Sequence, residues 1–215
     1  MANSELQRFL QSMQIGYAEW HDGLGYDLDA LDRMSAEERQ QVEDVLLARG
    51  AHDWRDVAAL DHLGSERALS AVGDSMRSTN IDTSVEAVTR LAKRGLLTEA
   101  GVETFLLQAL PRASVLNGLT KLLDFAQKHA SDTVKRTLLW CALHGNDELR
   151  VSAGALAHYL YGGSSSPFDW SHRPLYLRLG SKNRDIRKSA YLELCRSVGA
   201  DPDSSLPPPS SKTAP

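Results

Sequence analysis

The residues of this chain that could do acid–base or metal chemistry are histidines beside carboxylates. His21 precedes Asp22, and His52 precedes Asp53. An imidazole next to a carboxylate can exchange protons or bind a metal ion. Neighbouring side chains point apart in most backbones, however, and these histidines and His62 lack the short spacings of typical zinc sites. We therefore expect no catalytic residue, no metal and no cofactor.

A thiol one helical turn from a histidine is the other candidate for chemistry. Cys141 lies three residues before His144, and such a pair can activate a thiol for nucleophilic attack. Cys141 also belongs to an apolar stripe at helical spacing, which favours a buried structural thiol. Cys195 lies in a similar stripe. Since the sequence shows no secretion signal, we expect both thiols to stay reduced.

Charge is distributed unevenly along a chain of ordinary globular composition. The 215 residues are 42% hydrophobic and 24% charged, with a net charge of −4. Residues 1–64 hold 13 acidic and five basic residues, whereas residues 65–215 hold 15 and 19. Either the two parts present opposite potentials to a partner, or they are solvated helix faces that happen to differ. With no apolar run that could span a bilayer, the protein is expected to be cytoplasmic.

Apolar residues recur at helical spacing through most of the chain. They return every three or four residues in stretches that begin near Val102, Val115, Val134 and Leu149. Such spacing places them on one face of a helix. No stretch alternates with the two-residue period of a strand. The sequence therefore predicts an all-α protein of about nine or ten short helices.

Residues suited to helix ends flank these apolar stretches. Ser35 and Glu38 form a capping-box pattern, and Pro111 should end a helix. Glycines just past apolar stripes predict left-handed helix ends. The predicted N-caps are Asp53, Ser65, Asp82, Thr98, Ser131 and Asn146, and the glycines are Gly64, Gly95 and Gly145.

The predicted helices also recur in pairs. Asn80, Ser114 and Asp147 precede comparable helices at intervals of 34 and 33 residues, and Asp185 follows 38 residues later. Periods of this length are typical of helix-hairpin solenoids. The runs 146–153 and 184–190 resemble the second helix of a HEAT repeat, and residues 64–69 with 82–91 resemble a further unit. The resemblance covers roughly residues 53–198.

The HEAT resemblance implies an architecture and a set of structural charges. It implies a right-handed α-solenoid of about four helical hairpins over residues 53–198, preceded by an irregular acidic helical cap over residues 1–52. Asp147, Arg150, Asp185 and Arg187 would then link successive repeats rather than form a site. Residues 199–215 are rich in Pro and Ser and are predicted to be a disordered tail.

Recognition of another protein is the predicted function. A stand-alone helical protein with an acidic part resembles bacterial immunity proteins, which implies a cationic toxin as partner. Aromatic residues and carboxylates are mixed in the cap, in the segment 16–29. The predicted contact residues there are Glu19, Trp20, Asp22, Asp27 and Asp29.

An insertion at residues 162–174 is the second predicted contact surface. Phe168, Trp170 and Arg173 either stand at its rim as binding anchors or plug the groove between helices. Large aromatic side chains usually bury themselves, which favours packing. Ser171 is the predicted cap of the helix that follows.

Two further functions remain open at the level of sequence. A HEAT-like DNA-binding protein or DNA glycosylase would use a basic groove, although the acidic net charge makes nucleic acid an unfavourable partner. A scaffold or assembly factor would have the same sequence features as an inhibitor. The glycosylase hypothesis points to Trp140, Arg150, Asp169, Trp170, Arg173 and Arg187.

Overall fold

A computed structural model describes residues 4–14, 23–205 and 207, and this part of the chain is all-helical, without a β-strand. Short 3₁₀ segments cover Leu110–Arg112, Trp170–His172 and Pro202–Ser204. The α-helices in the described residues are α1 (Glu5–Ser12), α2 (Leu28–Arg33), α3 (Ala36–Arg49), α4 (Trp54–Leu63), α5 (Glu66–Ser75), α6 (Ile81–Lys93), α7 (Glu99–Ala109), α8 (Leu119–Lys128), α9 (Asp132–His144), α10 (Asp147–Leu160), α11 (Arg173–Leu179) and α12 (Arg184–Val198).

The chain divides into two compact units, Met1–Leu96 and Leu97–Pro215. The first unit contains α1 to α6 and carries a net charge of −7, whereas the second contains α7 to α12 and carries +3. The structure therefore divides after residue 96 rather than after residue 64, and the two units still carry net charges of opposite sign. The predicted boundary between residues 52 and 53 falls inside the first unit and stays a prediction.

Helix α4 lies at the centre of the first unit. It packs against α2, α3, α5 and α6. Its N-cap, Asp53, forms a capping box with Asp56, in which each side chain accepts a hydrogen bond from a backbone amide that has no partner within the helix. Asp56 is fully buried and accepts hydrogen bonds from the Tyr26 hydroxyl at 2.9 Å and the His52 amide at 3.0 Å, so its polar atoms are satisfied inside the core.

The second unit is built on an antiparallel hairpin of α9 and α10. Only Gly145 and Asn146 join the two helices, and α11 and α12 then pack in turn against α10. The core consists of the apolar faces that the helical spacing predicts. Its fully buried members include Val102, Leu106, Leu122, Val134, Leu138, Leu149, Ala153 and Leu194.

Most of the predicted helix ends are confirmed, and four are wrong, namely those at Asp82, Val115, Gly145 and Ser171. Asn80, not Asp82, caps α6, because its side chain accepts from the Thr83 amide. Helix α8 begins at Leu119 rather than Val115, because Ser114 and Asn117 close a tight turn through two backbone hydrogen bonds. The helices expected at regular intervals therefore start at residues 81, 119, 147 and 184, less regularly than predicted.

Gly145 ends α9 without the left-handed conformation predicted for it. Its φ is −65° and its ψ is 178°. A Cβ at this position would lie 2.7 Å from the Cys141 carbonyl oxygen and 2.9 Å from a methyl group of Leu149. Glycine is required there by the close approach of α9 to α10.

The start of the predicted tail contacts the second unit. The Tyr191 hydroxyl donates to the Pro202 carbonyl at 3.0 Å, and the Arg136 guanidinium donates to the Ser204 carbonyl at 2.8 Å. Residues 202–204 therefore form a 3₁₀ turn against α9 and α12. Residue 206 and residues 208–215 lie outside the described part.

Candidate functional site

The most distinctive surface of the second unit is built on the segment that joins α10 to α11. This segment contains the predicted insertion and ends in the 3₁₀ turn Trp170–His172, which runs directly into α11. Pro174 occupies the first turn of α11, where its missing N–H costs no helical hydrogen bond. The short helix therefore has a fixed start.

Asp169 holds the connecting segment in one conformation. Its carboxylate accepts the amide and hydroxyl of Ser165 at 3.2 and 2.7 Å and those of Ser171 at 2.9 and 2.6 Å. These donors, those of Ser171 first, hold the pKa of Asp169 well below its usual value. The prediction that Ser171 caps the helix is wrong, because Asp169 caps the 3₁₀ turn and the Ser171 hydroxyl donates to it.

A buried polar network supports the segment from below. His158 of α10 is 1% exposed; its Nδ1 lies 2.9 Å from the Tyr176 hydroxyl and its Nε2 lies 3.3 Å from the Ser197 hydroxyl. Burial, and then the nearby His172, lower the pKa of His158, so the ring is neutral at neutral pH. The Gly163 backbone lies on the same ring, where a Cβ would approach His158 Cδ2 to 2.3 Å.

Phe168 and Trp170, which both lie in this segment, make different contacts. The Phe168 ring packs on Tyr176 with centroids 5.3 Å apart and meets Trp170 edge to face at 6.1 Å. Trp170 itself is 74% exposed, so the expectation that it packs into a groove is wrong. The Arg173 guanidinium lies 5.3 Å from the centroid of the Trp170 ring, and Phe168 is itself 36% exposed.

Helix α11 continues this surface with an apolar side chain. Arg173 and Leu177 are four residues apart and therefore share one face of the helix. Leu177 is 49% exposed. We call the exposed row of Trp170, Arg173 and Leu177 the α11 strip.

A groove adjoins the α11 strip at Leu177. It has a volume of about 710 Å³, and Val151 of α10, Leu177 and Ile186 of α12 supply its apolar lining. Gly180 lies at its wall, where a Cβ would come within 2.7 Å of the Val151 side chain. The strip and the groove together form an apolar and aromatic surface with an arginine in it, which is the composition of binding hot spots.

The predicted acidic contact residues lie in the first unit, apart from the α11 strip in the sequence. Glu19, Trp20 and Asp22 lie outside the described residues. Asp27 caps α2 by accepting from the Ala30 amide and pairs with the Arg8 guanidinium at 2.9 Å. Asp29 is exposed in the first turn of α2.

Many other carboxylates of the first unit are already paired. Asp61 bonds two guanidiniums, those of Arg90 at 2.9 Å and Arg94 at 2.5 Å, which lower its pKa despite partial burial. Arg67 bridges to Asp44 at 2.8 Å. The negative charge of this unit is therefore partly neutralised within the unit itself.

Of the residues considered for catalysis, Cys141 is buried and His62 is hydrogen-bonded to another side chain. Burial raises the pKa of the Cys141 thiol to about 12, and Cys141 and Cys195 are both free. His62 bonds Asp32 at 2.7 Å. In the described part of the chain, no group of three His, Cys, Asp or Glu side chains is placed to hold a metal ion. No helix among these residues is long and apolar enough to cross a membrane.

The residues named for the glycosylase hypothesis are distributed over two ends of the α9–α10 hairpin. Trp140 stacks on His144 at the end of α9, whereas Trp170 and Arg173 lie beside the far end of α10. Arg150 is 6% exposed and bonds backbone carbonyls at the ends of α9 and α11. It therefore links the ends of α9 and α11 and is not available to a DNA phosphate.

Sequence reasoning found Phe168, Trp170 and Arg173 but missed what positions them. His158, Tyr176 and Ser197 come from three helices, and no local spacing indicates that they meet. The exposure of Leu177 could have been predicted from the sequence. The buried apolar face of α11 contains Leu175, Tyr176 and Leu179, and Leu177 falls outside that face. In a comparison with known proteins, no family model, no curated protein and no solved structure matches this chain.

Proposed function

We propose that this protein is a non-catalytic module that binds another protein through the α11 strip and the adjoining groove. The observation that carries the proposal is the exposure of Trp170 on a segment whose conformation is fixed. A large aromatic side chain at the surface loses apolar burial that the fold could otherwise use. Binding of a partner would recover that burial.

The support beneath the strip favours binding over a mobile loop. Four hydrogen bonds fix Asp169, and the His158–Tyr176 pair fixes the start of α11. A side chain that is already ordered loses less conformational entropy on binding, and the affinity gains correspondingly. The aromatic ring, the arginine and the leucine match the residue types that dominate measured binding energies.

In its finer form, the proposal is a HEAT-like α-solenoid that acts as an immunity protein against a cationic toxin. The charge of −7 on the first unit supports an electrostatic contribution to such recognition. Of the two predicted acidic contact residues that the structure describes, Asp29 is suited to a contact role, because it is exposed and, unlike Asp27, makes no cap or ion pair with the described residues. A scaffold that holds a protein partner would use the same strip.

Affinity capture with matched variants tests the binding proposal. The tagged wild-type chain, Trp170→Ala, Leu177→Ser and the control Leu24→Ala are used to capture proteins from cells that make the native chain. Leu24 is 52% exposed and lies in the other unit. We expect a protein that the wild type and Leu24→Ala bind equally, and that Trp170→Ala binds about 30-fold more weakly, as for loss of a hot spot of about 2 kcal/mol.

A second pair of variants tests the toxin hypothesis. Asp29→Lys should slow association with a cationic partner and make the rate less sensitive to salt, whereas Glu66→Lys, at the start of α5, reports the effect of charge elsewhere on the unit. Retention of the same partner by Trp170→Ala, at unchanged melting temperature, would refute the role of the α11 strip. Equal effects of the two lysine variants would refute a specific role for Asp29.

A further inference from the structure

The second unit contains another opening, beside the turn that joins α9 to α10. It has a volume of about 610 Å³ and lies between the end of α9, the first half of α12 and the 3₁₀ turn Pro202–Ser204. Three of the residues that line it are cations, namely Arg184, Arg187 and Lys188. We call it the cationic cleft.

Within the described part of the chain, the cations of the cleft lack carboxylate partners. Among the described residues, none of the three makes an ion pair, whereas Arg178 of the same unit pairs with Glu193 at 2.5 Å. Asp203 is the one carboxylate that lines the cleft in the described part of the chain. Like charges held close together repel one another, and an anion in the cleft would remove that cost.

Arg187 carries a specific unmet hydrogen bond. Its Nη1 donates to the Ser181 carbonyl at 3.2 Å, which anchors the guanidinium, but its Nε is buried and has no acceptor. A buried donor without an acceptor costs free energy and is uncommon in folded proteins. Since this nitrogen is closed to solvent, an oxygen atom of a bound anion would supply the acceptor once the guanidinium turned toward the cleft.

His144 adds a neutral donor beside the cations. Its ring stacks on Trp140 with centroids 4.9 Å apart, and it lines the cleft with Arg187. Burial and, after it, the charge of Arg187 lower the pKa of His144, so the two side chains are near neighbours. A bound dianion would favour the protonated imidazole and raise that pKa again.

The remaining lining is apolar and has room for more than an ion. Leu143, Leu192, Pro202 and the Tyr191 ring face the cleft, and the Tyr191 hydroxyl already donates to the Pro202 carbonyl at 3.0 Å. A volume of about 610 Å³ lies within the range of small-molecule sites. From this combination we propose that the cationic cleft binds a small phosphate monoester whose body is apolar or aromatic.

Calorimetric titration with three probes tests this site on the full chain. Phenyl phosphate should bind with one site per chain, inorganic phosphate should bind more weakly, and phenol should not bind measurably. Lys188→Gln and Arg187→Gln should each lower the affinity for phenyl phosphate by about tenfold or more, since each removes a hydrogen bond between a cationic side chain and the phosphate. Arg196→Gln is the matched control on the same helix, and Trp170→Ala should bind phenyl phosphate as the wild type does.

Proton NMR of His144 gives an independent readout. Its pKa should rise when phenyl phosphate is added and should stay unchanged with phenol. The proposal is overturned if binding of phenyl phosphate does not saturate, or if Arg196→Gln lowers the affinity as much as Lys188→Gln does. It is also overturned if phenyl phosphate leaves the pKa of His144 unchanged. Duplex DNA that binds through Arg187 and Lys188 and that phenyl phosphate cannot displace would instead identify a nucleic-acid surface.

Discussion

Replacement of Arg150 by methionine should destabilise the second unit far more than removal of its ionic partner. The guanidinium donates to the Leu179 carbonyl at 2.8 Å and to the Gly145 carbonyl at 2.6 Å, and it pairs with Asp147. Its side chain is 8% exposed, whereas that of Asp147 is 55% exposed. Arg150 therefore closes the ends of α9 and α11 with hydrogen bonds shielded from water.

The expected loss of stability depends on which hydrogen-bonding partners of Arg150 stay buried after the substitution. Arg150→Met leaves helix-end carbonyls without a donor, and each unmet buried group costs about 1–3 kcal/mol. Methionine keeps much of the side-chain packing and removes the desolvated charge, so we expect a net loss of about 3 kcal/mol. Asp147→Asn removes a mostly exposed ionic partner and should cost about 1 kcal/mol or less.

Urea unfolding followed by far-UV circular dichroism measures both changes. With a slope of about 1.5 kcal/mol/M, Arg150→Met should lower the midpoint of the second unit by about 2 M, and Asp147→Asn by well under 1 M. Arg178→Met is the matched control, because Arg178 pairs with Glu193 at the surface. Equal losses for Arg150→Met and Asp147→Asn would refute the reasoning, since the ion pair would then supply the stability.

Two further predictions concern buried titratable groups. Burial raises the pKa of Cys141 to about 12 and also raises that of Cys195. A thiol reagent at neutral pH should therefore label neither cysteine in the folded protein and both in urea. Labelling of Cys141 in the native state would contradict its burial. The pKa of His158 is lowered in the folded state, so the folded state binds fewer protons than the unfolded one, and stability is lost as pH falls through about 6.5. Melting temperatures between about pH 7 and 5 should therefore fall more steeply for the wild type than for His158→Gln, and parallel curves would exclude His158 as the source.

The sequence predicted the helices well where local chemistry determines them. The Ser35–Glu38 capping box, the caps at Asp53 and Ser131 and the stop before Pro111 all depend on a few neighbouring residues. The apolar stripes likewise indicated which helix faces are buried. These features could be predicted because a cap or a stripe has the same physical cause in any fold.

Prediction failed where a distant residue decides the local structure. Val115 has the spacing of a helix start, but its amide donates to Glu148 at 3.0 Å from within a turn. Trp170 has the hydrophobicity of a core residue, but it is 74% exposed, and Phe168 rather than Trp170 packs on Tyr176. In both cases the residue that receives the contact, Glu148 of α10 or Tyr176 of α11, lies outside the local segment, and no spacing within a single helix indicates it.

The α9–α10 hairpin separates the cationic cleft from the His158 network. His144 ends α9, whereas Lys135, near its start, lies 5.7 Å from the ring of Tyr161 at the end of α10. The nine residues from Lys135 to His144 rise about 14 Å along a helix, so the cationic cleft and the His158 network occupy opposite ends. Helix α12 reaches both regions, since Arg187 lines the cleft and Ser197 bonds His158. Helix α12 therefore connects a ligand in the cleft to the residues that support the α11 strip.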